Sequence, residues 1–115
     1  MSTCAIINYQ TGEFIFKSDK YSVVLIGTDS LATVTPTNDS SLYGILNYIT
    51  GELVEEVVHN YLYIYDDTLA LESDADGMLY GIYNIKTHEL ILEKKCHDIK
   101  IIDDTLAAIN IHGKW

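Results

Sequence analysis

The sequence predicts an all-β domain of three tandem copies, each of roughly 38 residues and about four short strands. Three observations carry that expectation. One segment recurs three times around a Thr-Gly-Glu or Thr-His-Glu turn. A second block, ending in Leu-Ala, recurs downstream of each. Helical periodicity is weak throughout, while Ile, Val and nine Tyr favour extended backbone.

The first block reads Cys4-Ala5-Ile6-Ile7-Asn8 up to Thr11-Gly12-Glu13, then Phe14-Ile15. Its second form runs from Tyr43-Gly44-Ile45-Leu46-Asn47 through Thr50-Gly51-Glu52 to Leu53-Val54. The third runs from Tyr80-Gly81-Ile82-Tyr83-Asn84 through Thr87-His88-Glu89 to Leu90-Ile91. Glycine at the turn supplies the positive φ of a tight hairpin. His88 in that place predicts mild strain. The downstream blocks are Thr28-Asp29-Ser30-Leu31-Ala32, Asp66-Asp67-Thr68-Leu69-Ala70 and Asp103-Asp104-Thr105-Leu106-Ala107. Their Asp, Ser and Thr side chains suit turns, because they hydrogen-bond nearby backbone. The copies run 4–42, 43–79 and 80–114, within one domain spanning 1–115.

Trp115 falls where Tyr43 and Tyr80 begin their copies, and Cys4 lacks that aromatic. A cyclic arrangement would let Trp115 complete the first copy. The expectation is therefore a closed, three-fold, β-trefoil-like domain. A propeller-like oligomer or a short β-solenoid is the alternative, since a propeller typically needs four or more blades.

Leu106-Ala107-Ala108 leads to Gly113-Lys114-Trp115; Tyr43-Gly44 and Tyr80-Gly81 are aromatic-Gly pairs; and His97-Asp98-Ile99 is similar to a Tyr-Asp-x-Ile stretch. On these residues the chain resembles the WG (KWG) repeat family over nearly its whole length. It departs from the family at Cys4-Ala5 and in the absence of Gly after Trp115. The resemblance implies a non-catalytic repeat domain.

The strands before the Asp turns separate two faces. Val24 and Ile26, Leu62 and Ile64, and Ile99 and Ile101 are aliphatic in every copy, which predicts a core face. The other face varies: Val23, Leu25 and Gly27, then Tyr61, Tyr63 and Tyr65, then Asp98, Lys100 and Ile102. A variable face is free to specialise, and three tyrosines suit an interface. Packing of the rings on a neighbouring strand is the plainer reading.

The net charge is -10, and all seven basic residues are lysines. Arginine is the residue best suited to forked phosphate contacts. An acidic chain without it is not expected to bind nucleic acid or anionic membranes directly. The copy 43–79 holds eight acids and no lysine. Acids flanking aromatic anchors suit a basic protein partner, although a solvated surface explains the same charge. The candidate contact is Tyr61, Tyr63 and Tyr65, with Asp66, Asp67, Glu55 and Glu56.

No chemistry is expected. Ser73-Asp74-Ala75-Asp76-Gly77 lacks the ligand positions of a calcium loop and reads as a hairpin turn. His59, His88, His97 and His112 show no metal-ligand spacing, and Cys96-His97 is too little for zinc. No cofactor, metal or catalytic residue is assigned. Cys4 and Cys96 are expected to be free thiols in a cytoplasmic protein. There is no signal-peptide pattern and no apolar stretch of membrane-spanning length.

Three functions follow in order. The first is a small acidic inhibitor or immunity-type antagonist of a basic, nucleic-acid-acting protein. The second is a carbohydrate- or small-ligand-binding domain. That reading is weakened because the tyrosine triplet occurs once. The third is a structural, self-assembling homo-oligomer.

Overall fold

The computed structural model describes residues 3–39, 41–103 and 105–111. These form an all-β molecule of strands β1 (Cys4–Asn8), β2 (Glu13–Ser18), β3 (Tyr21–Ile26), β4 (Leu31–Pro36), β5 (Tyr43–Asn47) and β6 (Glu52–His59). They continue as β7 (Leu62–Ile64), β8 (Leu69–Ser73), β9 (Tyr80–Asn84), β10 (Glu89–Ile101) and β11 (Ala107–Ile111). No helix among the described residues is long and apolar enough to cross a membrane.

The recurring turns are built alike. The Oδ1 atoms of Asn8, Asn47 and Asn84 each accept two backbone N–H groups from the turn that follows. Gly12 and Gly51 sit at φ 79° and 80°, and His88 takes the same left-handed place at φ 61°. The Leu-Ala turns are also alike: Thr28 Oγ1, Asp66 Oδ1 and Asp103 Oδ1 each cap two backbone N–H groups. Short polar side chains thus hold each reversal locally.

The strands hydrogen-bond into three open antiparallel sheets. A ribbon pairs β1 with β2, a central sheet has the order β3-β4-β5-β6, and a third has the order β11-β10-β9-β8-β7. The closed three-fold domain expected from the sequence is not formed by the described residues. Among the described residues, each sheet ends in open edges. The role expected for Trp115, with the His112 to Trp115 segment, lies outside the described residues.

Sheet boundaries also fall inside the sequence copies. The central sheet joins β4 to β5 across the junction of the first two copies, with Leu31 opposite Asn47 and Val34 opposite Gly44. β8 pairs with β9 across the next junction in the same way, with Leu69 opposite Asn84. The chain changes sheet instead between β2 and β3 and between β6 and β7. In the third copy, β10 bends without breaking. Its Cys96, fully buried, pairs with Tyr80 on one side and Ile111 on the other.

The sheets stack face to face. One face of the central sheet carries Leu31 and Ile45, which pack against Leu62, Ile64 and Ala70 of the third sheet and Ile85 just after β9. Its opposite face carries Ala32, Val34, Leu46 and Tyr48, which pack against Ile6 and Phe16 of the ribbon. Gly27 lies so close to the third sheet that a Cβ there would stand 2.5 Å from Ile64 Cβ. The stack is elongated, 49 × 29 × 23 Å.

The expected core face holds in one strand and fails in another. Leu62 and Ile64 are 1% and 4% exposed, but Val24 and Ile26 are 48% and 49% exposed. The reason is the width of the neighbouring layer. Leu62 and Ile64 lie against the four-stranded central sheet. β3 lies beside a ribbon of two strands, too narrow to cover it. A register shift between Val23 and Leu25 also bends β3.

Candidate functional site

The tyrosines of the candidate surface part company at the start of β7. Tyr63 and Tyr65 point away from Leu62 and Ile64 and are 44% and 46% exposed. Tyr61 is half-buried and meets Tyr43 edge to face, with ring centroids 5.4 Å apart. Burial, then the nearby Tyr80, Tyr43 and Tyr63 hydroxyls, pushes the Tyr61 hydroxyl pKa up, so it remains a neutral donor and acceptor.

Tyr61 and Tyr80 line an open depression with Asn60, Ser73 and the loop Asp74 to Gly77. This loop is the hairpin between β8 and β9. Asp74 Oδ1 accepts the N–H of Met78 at 3.1 Å and of Leu79 at 3.4 Å, and Gly77 turns at φ 70°. Those backbone bonds hold the Asp74 carboxyl below its usual range. Asp76 is exposed at the rim. The Asp74 carboxyl is engaged by its turn as Asp66 is by its own, so two tyrosines and the exposed Asp76 carboxylate are the groups that can meet a cationic side chain here.

The acids predicted with the tyrosines are not gathered at this place. Asp66 is spent on its turn, with Oδ1 2.8 Å from both Thr68 N and Leu69 N. Asp67 lines a different depression, with Ser30, Leu31, Ile85, Lys86 and His88. Glu56 is exposed on β6. Glu55 is no surface acid at all: it is 7% exposed, within a polar cluster between the central and third sheets.

That cluster escaped the sequence reading. Glu55 Oε1 accepts the Tyr83 hydroxyl at 2.7 Å and lies 2.9 Å from His59 Nε2, while Oε2 lies 2.7 Å from His88 Nδ1. His59 Nδ1 bonds Glu72 Oε1, and Lys94 Nζ reaches Glu72 Oε2 at 3.0 Å. A neutral imidazole has one N–H, yet both ring nitrogens of His59 face carboxylates. Burial opposes a charge on the ring, but the hydrogen bonds and charges of Glu72 and Glu55 outweigh it and raise the pKa. Against the same opposition from burial, these partners lower both carboxyl pKa values. Burial, then the Glu55 contact, drives the Tyr83 pKa strongly upward. The members come from β6, β8, β9, β10 and the turn after β9, so the cluster ties two sheets together.

One clue to it was present. His59 and Glu55 share β6 at a spacing of four, so they fall on one strand face. Glu72 lies distant in sequence, and only the packing of sheets brings it near. Comparisons with protein-family models, with curated proteins and with solved structures find no match for this chain.

Proposed function

We propose that this chain is a non-catalytic protein-binding module, a small acidic antagonist of a basic protein that acts on nucleic acid. The observation that carries the reading is the tyrosine-acid surface at β7 and the β8–β9 hairpin. Tyr63 and Tyr65 are exposed there, and the depression between Tyr61 and Tyr80 is rimmed by Asp74 and Asp76. The segment 43–79 holds no lysine to oppose a basic partner. Tyrosines give rigid contact area, and the surrounding charge speeds encounter with a cationic surface. A lysine or arginine of the partner fits between Tyr61 and Tyr80.

The resemblance to WG repeats supports the non-catalytic part of the reading, and the three similar turns suit that family. The free Cys4 and Cys96 thiols suit a reducing compartment such as the cytoplasm.

The test is capture of a partner by the tagged protein at low and high salt, beside a Tyr63→Ser/Tyr65→Ser/Asp76→Asn variant. A basic protein is expected at low salt and is weakened at high salt. The variant should lose at least about 2 kcal/mol, roughly thirty-fold in Kd, with an unchanged thermal midpoint. Equal capture by both proteins would remove this surface from the account.

A further inference from the structure

Two strand edges in this molecule match each other. Among the described residues, β1 pairs only with β2 and β11 only with β10, while the Val23 N–H of β3 donates to Cys4 Sγ at 3.3 Å. The turns give each its counterparts. Strand β1 precedes an Asn-capped turn, as β5 and β9 do. Strand β11 follows a turn in which Ile102 N and Asp103 N donate to Leu106 O. In the same way Gly27 N and Thr28 N donate to Leu31 O before β4, and Tyr65 N and Asp66 N donate to Leu69 O before β8. The molecule pairs β4 with β5 and β8 with β9. By that rule β11 takes a strand of the β1 kind, and β1 takes a strand of the β11 kind.

We infer that β11 of one copy of this chain pairs with β1 of a second copy, joining the third sheet of one copy to the ribbon of the other. The register follows from the intact pairs. Leu69 opposite Asn84 places Leu106 opposite Asn8. Ala70 opposite Tyr83 places Ala107 opposite Ile7, and Ser73 opposite Tyr80 places Asn110 opposite Cys4.

Independent observations converge on this junction. Ile7 is 47% exposed, whereas its counterparts Leu46 and Tyr83 are buried. Leu106 is exposed, whereas its counterpart Leu31 packs on Leu62 and Ile64. The same placement in a joined pair sets Leu106 of the second copy against Val24 and Ile26, the two aliphatic residues that the narrow ribbon leaves bare. Asn110 Oδ1 is buried without a hydrogen-bond partner among the described residues. It lies on the open edge, at the position that would face Cys4.

A second copy, and not the chain itself, is the fitting occupant. The ribbon and the third sheet pack on opposite faces of the central sheet. Two sheet spacings of about 10 Å separate them, whereas paired strands lie about 5 Å apart. Each copy offers one edge of each kind, so two copies close through two identical junctions about a two-fold axis. The copies each carry a charge of -10. Salt therefore strengthens this apolar contact, the reverse of its effect on a basic partner.

The test combines mass with a register-specific link. Sedimentation equilibrium should give twice the 12.9 kDa chain mass, with association tightened by added salt. Oxidation of the Asn110→Cys variant should join it to native Cys4 of the other copy, giving a reductant-sensitive covalent dimer that Cys4→Ser abolishes. Facing residues in antiparallel strands lie within disulfide reach. A monomeric mass overturns the inference. So does an open-ended series of larger species, a link formed within one chain, or a dimer in which these positions do not join.

Discussion

Gly44 and Gly81 show how a single atom fixes a sheet. A Cβ at Gly81 would stand 2.3 Å from the Leu92 carbonyl oxygen, and one at Gly44 would stand 2.7 Å from that of Glu55. Gly51 differs: a Cβ there meets open space, and only its φ of 80° resists substitution. Gly51→Ala should therefore cost about 1 kcal/mol, the penalty of a left-handed residue. Gly81→Ala should cost up to about 3 kcal/mol, because backbone must move. Urea denaturation of the two variants checks the order, and equal losses would contradict it. The glycines at the turns were legible in the sequence as hairpin signals. The close approach at Gly44 and Gly81 was not, because it depends on where bulges shift the partner strand. The tyrosines divide in the same way. Alternation along β7 correctly set Tyr63 and Tyr65 opposite Leu62 and Ile64. It could not reveal that Tyr61 meets Tyr43, or that Glu55 turns inward to Tyr83 and His59.

At the scale of elements, the central and third sheets are joined by apolar contact and by the Glu55–His59–Glu72 cluster. The two contributions respond differently to pH. Glu55 and Glu72 have pKa values lowered from the ordinary 4.5, so their stabilisation is present above about pH 4.5 and fades as pH falls through the lowered values. His59 is raised from the ordinary 6.5, so its stabilisation is complete below that pH and fades as pH rises through the raised value. Stability should thus peak between the two, and denaturant midpoints measured across pH should show both limbs. His59→Leu leaves buried carboxylates without their central partner and should cost about 3 kcal/mol near pH 6. His59→Gln, which cannot titrate, should abolish the alkaline limb. An alkaline limb that persists in this variant would show that another group governs it. The strands and turns that supply these residues were readable from alternation and from Asn, Asp, Thr and Gly. The cluster was not, since Glu72 reaches His59 only through the packing of one sheet on another.

At the scale of the whole molecule, the chain is a stack of a two-stranded ribbon, a four-stranded central sheet and a five-stranded third sheet. Similar turns repeat along the sequence, so the all-β class and the strand order along the chain were legible from the start. The grouping into sheets was not. A repeat has no natural starting point in sequence, and hydrogen bonding cuts it between β2 and β3 and between β6 and β7. The exposure of Val24 and Ile26 follows from that cut, because an incomplete layer stands where a complete one is needed. Backbone amide exchange, followed strand by strand at rising protein concentration, tests this picture most directly. The amides of β4, β5, β8 and β9 should be protected at every concentration. Those of β1 and β11 should exchange fast in dilute solution and become protected together as copies associate. Protection of β1 and β11 that is already high when dilute, or that never rises, would contradict the account.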